Sequence, residues 1–175
     1  MFGAVNALFA ALALAFLIIT LHLQVNSIRE ARENSEEEHF QGIFFRLVKL
    51  EQNVLNGIEG YSFRQKFSGR RLFSDFYDKL RNQFESLYKA YPNEDQLLLI
   101  NKAYSAFYED EQSNVGHYFR TLYNIVKFVD TSKARDKHTY INLLRAQLSS
   151  NELLLLFYNC LSDKGNKRFK PLTGC

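Results

Sequence analysis

From Met1 to Ile28 the chain carries no Asp, Glu, Lys or Arg, and between Phe2 and Leu23 twelve positions are Leu, Ile, Val or Phe and six are Ala. Such a run predicts a helix without a polar face. Twenty-two residues at 1.5 Å rise span about 33 Å, close to the roughly 30 Å thickness of a bilayer's hydrocarbon core. The polar Asn6 and His22 fall near its ends. The run therefore reads as a transmembrane helix, 1–23. A cleaved signal peptide would want a basic start, a shorter apolar region and an A-x-A-like site, and Leu21-His22-Leu23-Gln24 has none. A buried helix of a soluble protein seldom lacks charge on every face over this length.

Beyond it the pattern changes period and polarity. Residues 24–39 form a charged juxtamembrane stalk, and residues 40–162 a helical domain. Phe40, Ile43, Phe44, Leu47, Val54, Leu55 and Ile58 recur at helical spacing. Tyr61 to Arg71, with Gly60 and Gly69 and several Ser, predicts a loop. Leu72, Phe73, Phe76, Tyr77, Leu80, Phe84, Leu87, Tyr88 and Tyr91 trace a second apolar face that Pro92 ends. Asn93 to Asp95 open a third helix carrying Leu97, Ile100, Tyr104, Phe107 and Tyr108, with a break or bend expected at Gln112 to Gly116.

Val115, Tyr118, Phe119, Leu122, Ile125, Val126 and Val129 make a fourth helix, and Asp130, Thr131 and Ser132 are suited to cap a fifth bearing Tyr140, Ile141, Leu144 and Leu148. Ser149-Ser150-Asn151-Glu152 is a capping-box pattern before the nearly all-apolar Leu153 to Cys160, which should be central among the helices. No segment alternates with period two, so no sheet is expected. The fold class is all-α: one N-terminal transmembrane helix, then a cytoplasmic bundle of about six helices, then a basic tail, 163–175.

Charge adds orientation. The net charge of +3 divides into −3 over residues 24–40, +4 over 41–91, −3 over 92–130 and +5 over 131–175. Arg29 and Arg32 lie just after the span, which places the C-terminal domain in the cytoplasm of a single-pass protein. The run Glu36-Glu37-Glu38 does not overturn this, because carboxylates contribute little to topology. No section is as basic as a dedicated nucleic-acid binder, so no DNA partner is expected. Cys160 and Cys175 form neither a disulfide framework nor a metal-ligand spacing, which suits a reducing compartment. No phosphate-binding glycine loop or catalytic triad spacing is present, and neither a metal nor a cofactor is expected.

Several residues are candidates for chemistry. Gly3, Ala7, Ala11 and Ala15 recur every four residues, a face on which another membrane helix, from a second copy or another protein, can approach closely. His117, Arg120, Thr121, Asn124 and Lys127 lie along one side of the fourth helix; with Arg145, Glu152 and Asn159 they compose a candidate ligand or partner site in which the two arginines receive an anion. The competing reading has those arginines pair with Glu152 or Asp130, or cap helix carbonyls. Arg32 and His39 fit an R-x(4–6)-H pattern used by helical RNase toxins, but four histidines and eleven arginines make a chance match ordinary, and the acidic stalk repels phosphate. Sixteen Phe and ten Tyr beside Arg64, Lys66, Arg70 and Arg71 suggest base stacking, yet their helical spacing assigns them to the core. Lys164, Lys167, Arg168 and Lys170 make a tail that is either solvated or touches anionic lipid.

The stretches HYFRTLYNIVKFVD, LLRAQLSSNELLLLFYNCLS and KRFKPL, with Tyr140 between them, resemble the bacterial putative phage abortive infection proteins. FGAVNALFAALALAFLIITLHLQ is similar to that family's membrane segment, and FFRLVKLEQNVLNGI to its first cytoplasmic helix. Relatives commonly have another membrane helix before this one and continue past the KPL segment; on that resemblance the chain reads as shortened at both ends. The resemblance implies antiphage defence at the bacterial inner membrane and supplies no catalytic residues. Three functions follow as expectations: a non-enzymatic effector or sensor that responds to a phage-derived or cellular signal, a membrane-tethered enzyme acting on nucleotides or RNA, and a scaffold that recruits another defence component.

Overall fold

The computed structural model describes residues 2–62 and 65–162, with the side chains of residues 61, 62, 65 and 66 left aside. Its elements run α1 (Phe2–Asn56), β1 (Glu59–Ser62), β2 (Gln65–Ser68), a 3-10 turn (Gly69–Arg71), α2 (Leu72–Ala90), α3 (Gln96–Thr131), α4 (Lys137–Gln147) and α5 (Ser150–Leu161). The all-α class holds, with five α-helices among the described residues in place of about six. The chain divides into two compact units, Met1–Gly42 and Ile43–Cys175.

In the first unit α1 is long and apolar enough to cross a membrane, and none of its most apolar 18-residue window is buried. Phe9, Leu12, Phe16 and Ile19 all face outward, so apolar surface is presented without a covering neighbour. The stalk is held helical by i,i+4 ion pairs, Arg29 to Glu33 at 3.2 Å and Arg32 to Glu36 at 3.3 Å, both exposed and each worth a few tenths of a kcal/mol.

The second unit builds its core on α3. Phe73 is fully buried, with its ring 5.6 Å from Phe76 and 4.9 Å from Tyr118, both edge-on. Phe107 continues the cluster toward Phe76 and Tyr104. α2 packs against α3 and α5, and α3 also meets α4 and α5. The last turns of α1 join through Phe44, whose ring lies 5.1 Å from Tyr140 of α4.

Two expected helices are one. The break expected at Gln112 to Gly116 is absent, and α3 continues through it. Glu111, Val115 and Gly116 are buried there. A side chain at Gly116 would meet the Tyr108 hydroxyl at 3.0 Å, so its smallness serves close packing. A mid-helix glycine costs only about 1 kcal/mol relative to alanine, which this burial offsets.

The segment expected to be a loop contains an antiparallel hairpin, with Glu59 opposite Ser68 and Ser62 opposite Gln65. Four-residue strands are too short for alternation to register in the sequence. Gly69 then adopts φ +64°, donates its N–H to the Ile58 carbonyl at 2.9 Å and turns the chain back, which delivers Arg70 to the domain.

The helix ends follow capping chemistry. Asp95 accepts from the Leu97 N–H at 3.2 Å at the start of α3, and Ser149 with Glu152 forms the expected capping box of α5. Asp130 and Thr131 close α3 instead of opening the next helix; Asp136 caps α4. The Asp136 carboxyl is held below its ordinary range by hydrogen bonds from Thr139. α5 is not enclosed on all sides: Leu154 and Phe157 are exposed while Glu152, Leu155 and Asn159 are buried. α2 and α3 pack against this helix. The tail cluster Lys164 to Lys170 lies outside the described residues, as does Arg64.

Candidate functional site

Helical periodicity puts Phe44, Val48, Glu51 and Leu55 on one buried stripe of α1, and the third of these is an acid. Glu51 has no exposed surface. Neither of its carboxylate oxygens has a hydrogen-bond partner. Buried carboxylates are normally paired or hydrogen-bonded, so an orphan of this kind in a packed core demands a chemical explanation.

Glu152, also without exposed surface, comes from the first turn of α5. Its backbone N–H donates to the Ser149 hydroxyl at 3.3 Å, and its carboxylate accepts from the Ser149 N–H. The capping box thus fixes the carboxylate's position as it starts the helix. Arg70 approaches from the 3-10 turn, with Nε 3.2 Å from Glu152 Oε2, while a terminal guanidinium nitrogen donates to the Gln147 carbonyl at 2.7 Å. That guanidinium is half exposed, so its pairing is screened on one side.

Tyr118 of α3 completes the cluster. It has no exposed surface, and its hydroxyl faces both carboxylates without meeting hydrogen-bond geometry to either. Burial, and then the two acids, push its ionisation far above the ordinary phenol range, so it stays a neutral donor. Burial and then the charge of Glu152 push Glu51 up to about 6, against weaker opposing effects of Tyr118 and Arg70. Four elements of the second unit therefore supply two buried carboxyls, one phenol and one guanidinium. With no exposed surface on either acid or on the phenol, a substrate would have to displace packed side chains to reach them.

The candidates named from sequence lie elsewhere, save one. His117, Arg120 and Asn124 are exposed on α3, and Arg120 Nε donates to the Gly116 carbonyl of its own helix at 3.2 Å. Thr121 is buried and donates to the His117 carbonyl, and Lys127 lies over the Tyr123 ring. Arg145 is exposed in the last turn of α4. Asn159 is buried in α5, accepting from the Tyr104 hydroxyl at 2.8 Å. Glu152 alone joins the cluster, and its cationic partner is Arg70. Gly3, Ala7, Ala11 and Ala15 are exposed along α1. Among the described residues no group of three or more His, Cys, Asp or Glu is arranged to hold a metal ion.

Glu51, Arg70 and Tyr118 were not singled out from the sequence for this site. A signal existed for Glu51, since an acid occupies a core position of an otherwise apolar helical stripe. Arg70 depends on the turn at Gly69, which only the hairpin makes intelligible.

Residues 110–173, a little over a third of the chain, match a family model described as Putative phage abortive infection protein. The matched segment carries Tyr118 and Glu152 and includes the stretches HYFRTLYNIVKFVD, LLRAQLSSNELLLLFYNCLS and KRFKPL, while the upstream stretches FGAVNALFAALALAFLIITLHLQ and FFRLVKLEQNVLNGI lie outside it. No curated protein and no solved structure matches the chain.

Proposed function

We propose that this protein is a membrane-anchored phage defence protein of the abortive infection kind, acting as a non-enzymatic effector or sensor. α1 enters the bilayer over residues 2–23, Arg29 and Arg32 hold its following end on the cytoplasmic side, and the helical domain meets a phage-derived signal or a defence partner there. The role in defence is supported by the family match over residues 110–173. The anchor is supported by one observation above others: the most apolar window of α1 is entirely uncovered by protein. Twelve large apolar residues at about −0.3 to −0.6 kcal/mol each favour insertion by roughly 4–7 kcal/mol. In water the same surface would be an aggregation hazard.

Action at the membrane is expected to be electrical. In cells making the full chain, a potential-sensitive dye should report early depolarisation after phage infection, before lysis. Cells making a variant that cannot insert should keep their potential. Decay of RNA with the potential intact would instead favour an enzyme acting on nucleotides or RNA.

A further inference from the structure

We propose that Glu51 is a buried proton-binding site beside the fixed carboxylate of Glu152, and that its protonation sets how firmly the last turns of α1 hold in the helical domain. The charge count carries the argument. With both acids ionised and Arg70 present, the cluster holds one uncompensated negative charge with no water-exposed acid oxygen. A single proton, taken from bulk water during local opening, neutralises it and turns one orphan oxygen of Glu51 into a donor. It requires no coordination shell, whereas two carboxylates and a phenol beside a guanidinium make a poor cage for a metal ion.

The groups acting on Glu51 are Glu152 from α5, Tyr118 from α3 and Arg70 from the 3-10 turn. Burial and the neighbouring acids keep Tyr118 neutral, so Glu51 is the group that takes up and releases the proton. The proton's release has a structural cost, because Glu152 is also the third-residue member of the capping box whose N-cap is Ser149. Repulsion from an ionised Glu51 pushes on the carboxylate that accepts from the N-cap N–H of α5. The raised affinity of Glu51, from 4.5 to about 6, corresponds to proton binding about thirtyfold tighter in the folded than in the unfolded chain. A group raised in this way stabilises the fold fully below its unfolded value and loses that contribution as pH rises through its folded one. A cytoplasm that acidifies toward pH 6 would therefore tighten this packing, and a neutral one would loosen it.

The site does not depend on the membrane reading, so the two can fail separately. The test uses the purified full-length chain in neutral detergent, titrated by difference infrared spectroscopy. A protonated-carboxyl band should be lost with a midpoint near 6 and be missing from Glu51→Gln. The melting temperature of the unaltered chain should fall as pH rises through that range, while that of Glu51→Gln stays flat. The proposal is overturned if the unaltered chain shows no such band, if the band titrates in the ordinary carboxylate range, or if Glu51→Gln retains it. It is equally overturned if magnesium or calcium ions abolish the band and raise the melting temperature of the unaltered chain alone, which would make the cluster a metal site.

Discussion

Replacing Leu12 and Phe16 with arginine is expected to move the protein from the membrane fraction to the soluble or aggregated one and to abolish defence. Both side chains are exposed, one helical turn apart near the middle of the apolar run. An arginine at the centre of a span costs about 2.5–3.5 kcal/mol, so the pair opposes insertion by roughly 5–7 kcal/mol, besides removing two favourable contributions. That is comparable to the whole driving force for insertion. If α1 instead stayed in water, the same changes would add charge to an exposed surface and improve solubility, with the folded domain untouched. Fractionation of cells making the two proteins distinguishes these outcomes, and unchanged membrane recovery of the double variant would count against insertion of this segment.

Phe73→Ala should produce the largest loss of stability in the helical domain, about 3–5 kcal/mol. Its ring is fully buried and edge-on to both Phe76 and Tyr118, so its removal leaves a cavity in the middle of the α2–α3 interface and forfeits two ring contacts. Aromatic pairs contribute about 0.5–1.5 kcal/mol beyond the area they bury. Against a total stability of about 5–15 kcal/mol for a domain, this brings the domain close to its threshold. Tyr118 also borders the acid cluster, so the variant should loosen that site as well. Denaturant unfolding in mild detergent measures the loss, and a change below about 1 kcal/mol would show that α2 and α3 do not pack as described.

What was legible in the sequence is what depends on a few neighbouring residues. Pro92 ends α2, Asp95 opens α3, and the Ser149-to-Glu152 box opens α5, each through a hydrogen bond or its absence within a few positions. The apolar stripes identified Phe73, Phe107 and Tyr118 as candidates for burial by the same local logic. What escaped depends on distant partners. Gly116 looks like a helix breaker until the close approach of the Tyr108 hydroxyl, 3.0 Å from where a Cβ would sit, is seen. The hairpin's short strands carry no readable alternation, and without it Arg70 looks like one basic residue among several. Glu51 follows the same rule. The stripe from Phe40 to Ile58 includes the buried Phe44 and Leu55 but takes the half-buried Leu47 and Val54 in place of Val48 and Glu51, because an apolar pattern does not select an acid.

Membrane and defence roles are joined by the proposal that α1 is solvated by lipid. The most direct measurement is ultracentrifugation of lysate from cells making the full-length chain, with an alkaline carbonate wash of the pellet. The protein should remain with the membranes through the wash and enter the supernatant only with detergent. Recovery in the supernatant without detergent, as a dispersed species of defined size, would contradict the account.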